Sequence, residues 1–148
     1  MKRPWNRTCS NIYSLSTYNL AGEVNMNICT YVSVVNMNPR LYAISIDYKT
    51  LTYKNLISFD GNIVLHCLSK KNINIVRSLG KKSGLFFDKL NYLTKNQLIT
   101  DWKNHIVLKD VSFLVELKDP KEIHKMSDHV LFLFNVKSYK NSKNEFLT

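Results

Sequence analysis

Lys49-Thr50-Leu51-Thr52 is the segment whose residue types and spacing point most directly to chemistry. It lies where a β-prone run ending near Tyr48 gives way to helical periodicity. A helix N-terminus presents free N–H groups and the positive end of the dipole, which together suit a phosphate. Two hydroxyls and one ammonium at that junction would complete an anion site. The same residues also suit an ordinary strand-to-helix junction capped by Thr50. Metal chemistry has no comparable support. His66, His105 and His124 lack ligand spacing, and Cys9, Cys29 and Cys67 are odd in number with no CxxC pair. Free thiols in a reducing compartment are expected, with Cys29 a small buried thiol and not a redox centre.

The chain has 148 residues, 45% hydrophobic and 22% charged, which suits one soluble domain spanning 1–148. No stretch approaches the roughly 20 apolar residues of a membrane span. The basic start, Met1 to Arg7, has no apolar segment behind it, so a cytoplasmic protein is expected. The net charge of +10, from 21 basic and 11 acidic residues, favours anionic partners. Nucleic acid, an acidic membrane surface and phosphorylated cofactors all meet that description. The lysines are dispersed among Asn and Ser, with no Arg-rich tract, aromatic RNA-binding signature or zinc-finger spacing, so neither nucleic acid nor membrane is the expected partner.

The elements that must position these residues are mostly strands. Ile12–Tyr18 has β character, and Asn19 to Gly22 supplies a turn. A run from Ile28 to Val35 is strand-like and stops at Asn36–Pro39. Leu41–Tyr48 alternates, with Tyr42, Ile44 and Ile46 on one face. Thr50–Ile57 reads as a short helix, and Asn62–Leu68 as a buried strand. Ser69 can cap a helix carrying Ile73, Val76 and Leu79, with Gly80 as its C′ residue. A weaker helical stretch holds Phe86, Phe87, Lys89 and Leu90. Two late strands, Val111–Leu117 and His129–Val136, flank a Pro120 loop. Strands dominate without a βαβ rhythm, so a mainly β fold with short helices, an antiparallel barrel, is expected.

Four ordered segments resemble the flavin reductase-like family, whose fold is the FMN-binding split β-barrel. They are Gly22 to Tyr31 with its Gly-x-x-Asn start, and Asn38-Pro39-Arg40 leading through Asp47 to Leu56. The third is Leu79-Gly80-Lys81-Lys82-Ser83-Gly84 with Asp88-Lys89-Leu90, and the fourth is Ser127-Asp128-His129-Val130-Leu131-Phe132. The resemblance runs from about Trp5 to Tyr139. It implies a flavoprotein that binds FMN, or FAD in its place, and takes electrons from NAD(P)H as a homodimer. A partner monooxygenase or other electron acceptor would be a separate protein.

On that resemblance the FMN phosphate falls at Lys49, Thr50 and Thr52. Asn25, Cys29, Thr30, Tyr31 and Ser83 fall beside the flavin, and Lys89 and His129 take the catalytic places. His129 would position and bind, because hydride transfer to flavin needs proximity more than a proton relay. Bland readings stand beside these: a solvated helix lysine for Lys89, turn chemistry for Asn25, a core tyrosine for Tyr31. Three residues depart from the family pattern. Ser127 replaces a Gly, Arg40 replaces a second Pro, and Phe134 replaces a Gly where it would narrow the pocket or alter dimer packing. A flavin-binding electron carrier or storage protein without nicotinamide activity, and a basic nucleic-acid-binding barrel, are the alternatives.

Overall fold

The structure is a computed structural model and describes residues 3–6, 9–81, 85 and 88–148. The chain runs β1 (Tyr13–Tyr18), β2 (Val24–Met26), β3 (Val32–Met37), β4 (Arg40–Asp47), α1 (Leu51–Ser58) and β5 (Ile63–Cys67). It continues through α2 (Ile73–Lys81), α3 (Lys89–Lys95), β6 (Ile99–Trp102), β7 (His105–Leu108), β8 (Phe113–Lys125) and β9 (His129–Asn141). Seven strands form one antiparallel sheet in the order β2-β1-β5-β8-β9-β4-β3, and β6 and β7 form a separate hairpin.

The two edge strands of that sheet are consecutive in the chain, and this closes it. The run from Val24 stays on β1 as far as Cys29, whose N–H and C=O exchange bonds of 2.8 and 2.9 Å with Tyr13. It then transfers to β4, where Ser45 N–H donates to Tyr31 C=O at 3.0 Å. One segment thus satisfies both edges, which would otherwise present unpaired backbone groups. The result is a mainly β barrel with short helices.

Two apolar layers hold it. Leu15, Ile44, Ile46, Leu65, Leu117, Phe132 and Phe134 fill the barrel. Met26, Val64, Leu68, Leu79, Leu93, Val107 and Leu114 pack the outer face against the helices and the β6–β7 hairpin. β5 contributes to both layers by alternation, so all five of its residues are buried. The hairpin is further pinned by a polar chain. Tyr18 O–H lies 2.6 Å from His105 Nδ1, His105 Nε2 lies 3.0 Å from Glu116, and Ser138 donates to the other Glu116 oxygen at 2.9 Å. Burial, then the Glu116 charge, pushes the Tyr18 hydroxyl up to about 12, so it stays a donor. Burial also pushes the Glu116 carboxyl up, but the His105 and Ser138 hydrogen bonds outweigh it and hold the carboxyl below its ordinary value.

Several elements differ from the sequence expectation. The run from Ile28 is not one strand: β2 precedes it, and β3 begins only at Val32. Gly80 is not a C′ residue but lies inside α2, where an added Cβ would come within 3.4 Å of Ile28, so it permits a close approach. In α2 it is Ile75 and Leu79 that are buried, while Ile73 is exposed. Pro120 does not sit in a loop. β8 runs through it with a register shift between Lys118 and Lys121 and Asp119 at φ 54°, a bulge that accommodates the missing N–H. The β6–β7 hairpin has no counterpart among the strands expected from sequence. Its Lys103-Asn104 turn holds both residues at positive φ, 48° and 65°, which suits a two-residue hairpin without the usual Gly.

Phe134 neither narrows a pocket nor reaches a surface. It is 1% exposed in the barrel core, its ring centroid 5.9 Å from that of Phe132. Phe134→Ala should therefore lower folding stability by about 3–5 kcal/mol in urea denaturation. A loss within about 0.5 kcal/mol, the range of a surface change, would contradict this placement.

Candidate functional site

A cavity of about 410 Å³ opens where the closing segment leaves β1 for β4. Among the described residues, five parts of the chain line it. Asn25 and residues Asn27 to Tyr31 form the crossing side. The end of β4 and the start of α1 supply Ser45, Asp47, Lys49, Thr50 and Thr52. Leu79, Gly80 and Lys81 come from the end of α2, and Lys89 and His129 from the first positions of α3 and β9.

The α1 start is built by its own side chains. Thr50 is the N-cap: its Oγ1 accepts from Tyr53 N–H at 3.2 Å and donates to Asp47 C=O at 2.7 Å. Asp47 Oδ1 accepts from Lys49 N–H at 2.8 Å, so the turn between strand and helix is fixed from both sides. Thr52 is 1% exposed, and its Oγ1 accepts from Asn27 Nδ2 at 3.1 Å. The Lys49 side chain is exposed.

Lys89 is not a solvated helix lysine. It is 6% exposed, and its ammonium donates to Leu79 C=O at 2.8 Å, at the C-terminal end of α2. Carbonyls at a helix C-terminus favour a cation. Burial nevertheless lowers its pKa to about 8. Asn25 belongs to β2, paired with Thr17, and not to the turn at Gly22. Tyr31 is not a core residue: it is 64% exposed, its ring centroid 5.5 Å from that of His129. His129 Nδ1 lies 2.7 Å from the exposed carboxylate of Asp128, which fixes the ring's orientation. Burial pushes the Cys29 thiol up to about 12, so it remains a neutral thiol.

The remaining histidines lie elsewhere. His66 is fully buried, its ring nitrogen 3.0 Å from Ser14 C=O, and burial lowers its pKa to about 4. His105 belongs to the hairpin clamp, and His124 is exposed. No cluster of three or more potential metal ligands occurs among the described residues. Nor is any described helix long and apolar enough to cross a membrane.

Nine of the residues singled out in the sequence meet in this cavity: Asn25, Cys29, Thr30, Tyr31, Lys49, Thr50, Thr52, Lys89 and His129. Ser83 lies outside the described residues, as do Phe86 and Phe87. Asn27, Ser45, Asp47 and Lys81 line the cavity without having been singled out. For Asn27 a signal existed, because a residue two positions from Asn25 on a strand shares its face.

The sequence matches the family described as the flavin reductase like domain over residues 5–148. The chain belongs to that family, a class of flavin-related oxidoreductases. No curated protein matches it in sequence. Among solved structures it is similar to a Sinorhizobium meliloti protein described as an oxidoreductase, with TM-score 0.80 and 14% identity over 99% of this chain. This chain spans only half of that protein's length, 50%. It is also similar to an FMN-binding protein of Thermus thermophilus, with TM-score 0.79 and 19% identity over 97% of this chain and 78% of that one. The flavin reductase of styrene monooxygenase from Pseudomonas putida gives TM-score 0.75 and 15% identity over 93% and 84%. These likenesses establish the fold.

The buried ammonium of Lys89 has a measurable consequence. Burial disfavours its charged form, so the unfolded chain holds that proton more tightly than the folded one. Wild-type stability, measured relative to Lys89→Met, should be lowest below pH 8 and climb as pH rises from about 8 towards 10.5. A difference between the two proteins that does not change over that window would contradict the assignment.

Proposed function

We propose that the chain is an FMN-binding oxidoreductase of the NAD(P)H-dependent flavin reductase type, with FAD as the other flavin it could accept. The observation that carries this reading is one cavity in which the N-terminus of α1 meets a polar crossing strand and an aromatic–imidazole pair. Among the described residues, three lysines, Lys49, Lys81 and Lys89, line it against one carboxylate, Asp47. That donor set suits a phosphorylated, electron-accepting ring system.

When bound, the flavin would supply the hydride-accepting ring. The chain's residues would bind and orient. The α1 N-terminus, Lys49 and Thr52 would hold the phosphate, while Thr50 contributes by fixing the helix start, its proton being committed to Asp47. Asn25, Cys29, Thr30 and, in the third resemblance segment, Ser83 would border the ring. Lys89 would offset negative charge gained on reduction, by releasing the Leu79 carbonyl and turning towards the cavity. Tyr31 and His129, in contact at its edge, would order the nicotinamide against the flavin, where proximity does most of the work. The reading includes a homodimer, in which a second copy covers the open side beside Tyr31, and a cytoplasmic setting with reduced thiols.

Purified protein should turn yellow on loading with FMN and bleach on anaerobic addition of NADH or NADPH. His129→Ala and Lys89→Met should each slow that bleaching by about ten- to a hundredfold while remaining folded. A protein that takes up neither FMN nor FAD would overturn the reading. One that takes up flavin but is reduced by neither nicotinamide would be an electron carrier instead.

A further inference from the structure

The direction of the hydrogen bonds around Asn27 is forced by chemistry. Leu15 N–H, which can only donate, lies 2.8 Å from one end of the Asn27 side-chain amide, so that end is the oxygen. The other end is therefore the NH₂ group, which can only donate, and it lies 3.1 Å from Thr52 Oγ1. Thr52 must accept. A hydroxyl that accepts there still has its own proton to give, and among the described residues nothing accepts it. Thr52 is 1% exposed yet borders the cavity, so a bound ligand is the available acceptor.

Thr50, two residues earlier, is the opposite case. Tyr53 N–H makes its oxygen accept, and Asp47 C=O takes its proton. Of the two threonine hydroxyls at this junction, only that of Thr52 is free to donate.

We infer that Asn27 is a positioning residue that sets the polarity of the Thr52 hydroxyl, so that Thr52 donates its proton to the ligand's phosphate. The inference rests on the flavin-phosphate reading of the α1 start. A phosphate dianion can only accept, and a hydroxyl held as a donor bonds it more strongly than it would the uncharged hydroxyl of an unphosphorylated ligand. Asn27 also joins β1 to α1 across the point where the closing segment begins to leave β1, which keeps the donor in register with the helix N–H groups.

Binding of FMN and of riboflavin, which lacks only the phosphate, separates this role from a structural one. Flavin-fluorescence titration should show Thr52→Val weakening FMN binding by about tenfold or more, with riboflavin binding unchanged and Thr52→Ser retaining FMN affinity. Asn27→Asp keeps an acceptor for Leu15 N–H but turns the second bond round, so that Thr52 must donate to it. It should weaken FMN binding to a similar extent. Its added charge would also repel phosphate, and that part persists without the hydroxyl, so the double variant decides: Asn27→Asp should cost clearly less in the Thr52→Val background than in the wild type.

Losses that add in the double variant, or a single variant with an unchanged FMN-to-riboflavin ratio, would overturn the inference. If Asn27→Asp does not fold, Asn27→Leu takes its place, with the same requirement that its loss be confined to FMN and clearly smaller beside Thr52→Val. A wild-type chain that binds riboflavin and FMN equally well removes this inference and leaves the flavin reading standing. One that binds neither removes both.

Discussion

The segment from Val24 to Met37 has to serve both edges of one sheet. It exchanges hydrogen bonds with β1 up to Cys29 and with β4 from Tyr31, so its backbone changes partners within two residues. A strand cannot pair with two diverging neighbours at once, and the two edges separate at that point. The space between them is bounded by whatever packs beside the crossing. Here that is the start of α1 on one side and the end of α2 on the other, with Gly80 allowing α2 to approach Ile28 closely. The cavity is thus a consequence of how the barrel closes, and its polar lining is what the closing segment and the helix termini bring with them.

Charge is distributed in the cavity at a cost to the fold. Lys89 is held almost out of solvent, and one carbonyl does not fully replace water around an ammonium, as its lowered pKa records. Such an arrangement favours an anionic occupant, because binding one restores the interaction that burial removed. The cavity can tolerate it because stability is concentrated elsewhere. Leu15, Leu65, Leu117 and the Phe132–Phe134 pair form a closed apolar layer, and the Tyr18–His105–Glu116 chain locks the β6–β7 hairpin against the opposite face.

Legibility in the sequence followed physical rules with short range. The alternation of Tyr42, Ile44 and Ile46, the Thr50 cap and the buried run of β5 were readable because each is decided by neighbouring residues. The crossing at Asn27–Tyr31 was not, because changing partners is a property of two distant strands. Asn25 and Asn27 obscure β2 for the same reason, the Asn27 amide being satisfied by contacts with distant residues. The Lys103-Asn104 turn and the bulge at Pro120 depend on positive-φ residues other than Gly, which composition does not announce. Lys89 was recognisable by its motif, but its burial and its bond to Leu79 required the packing of α2 beside α3.

The central claim is that the point of barrel closure is the flavin site. Amide hydrogen exchange across the whole chain, with and without saturating FMN, tests it most directly. Protection should increase at Ile28–Tyr31 and Lys49–Tyr53, and stay unchanged in the β6–β7 hairpin, residues Ile99–Leu108. Protection confined to the hairpin or to the distal half of β8, with none at the crossing, would contradict the account.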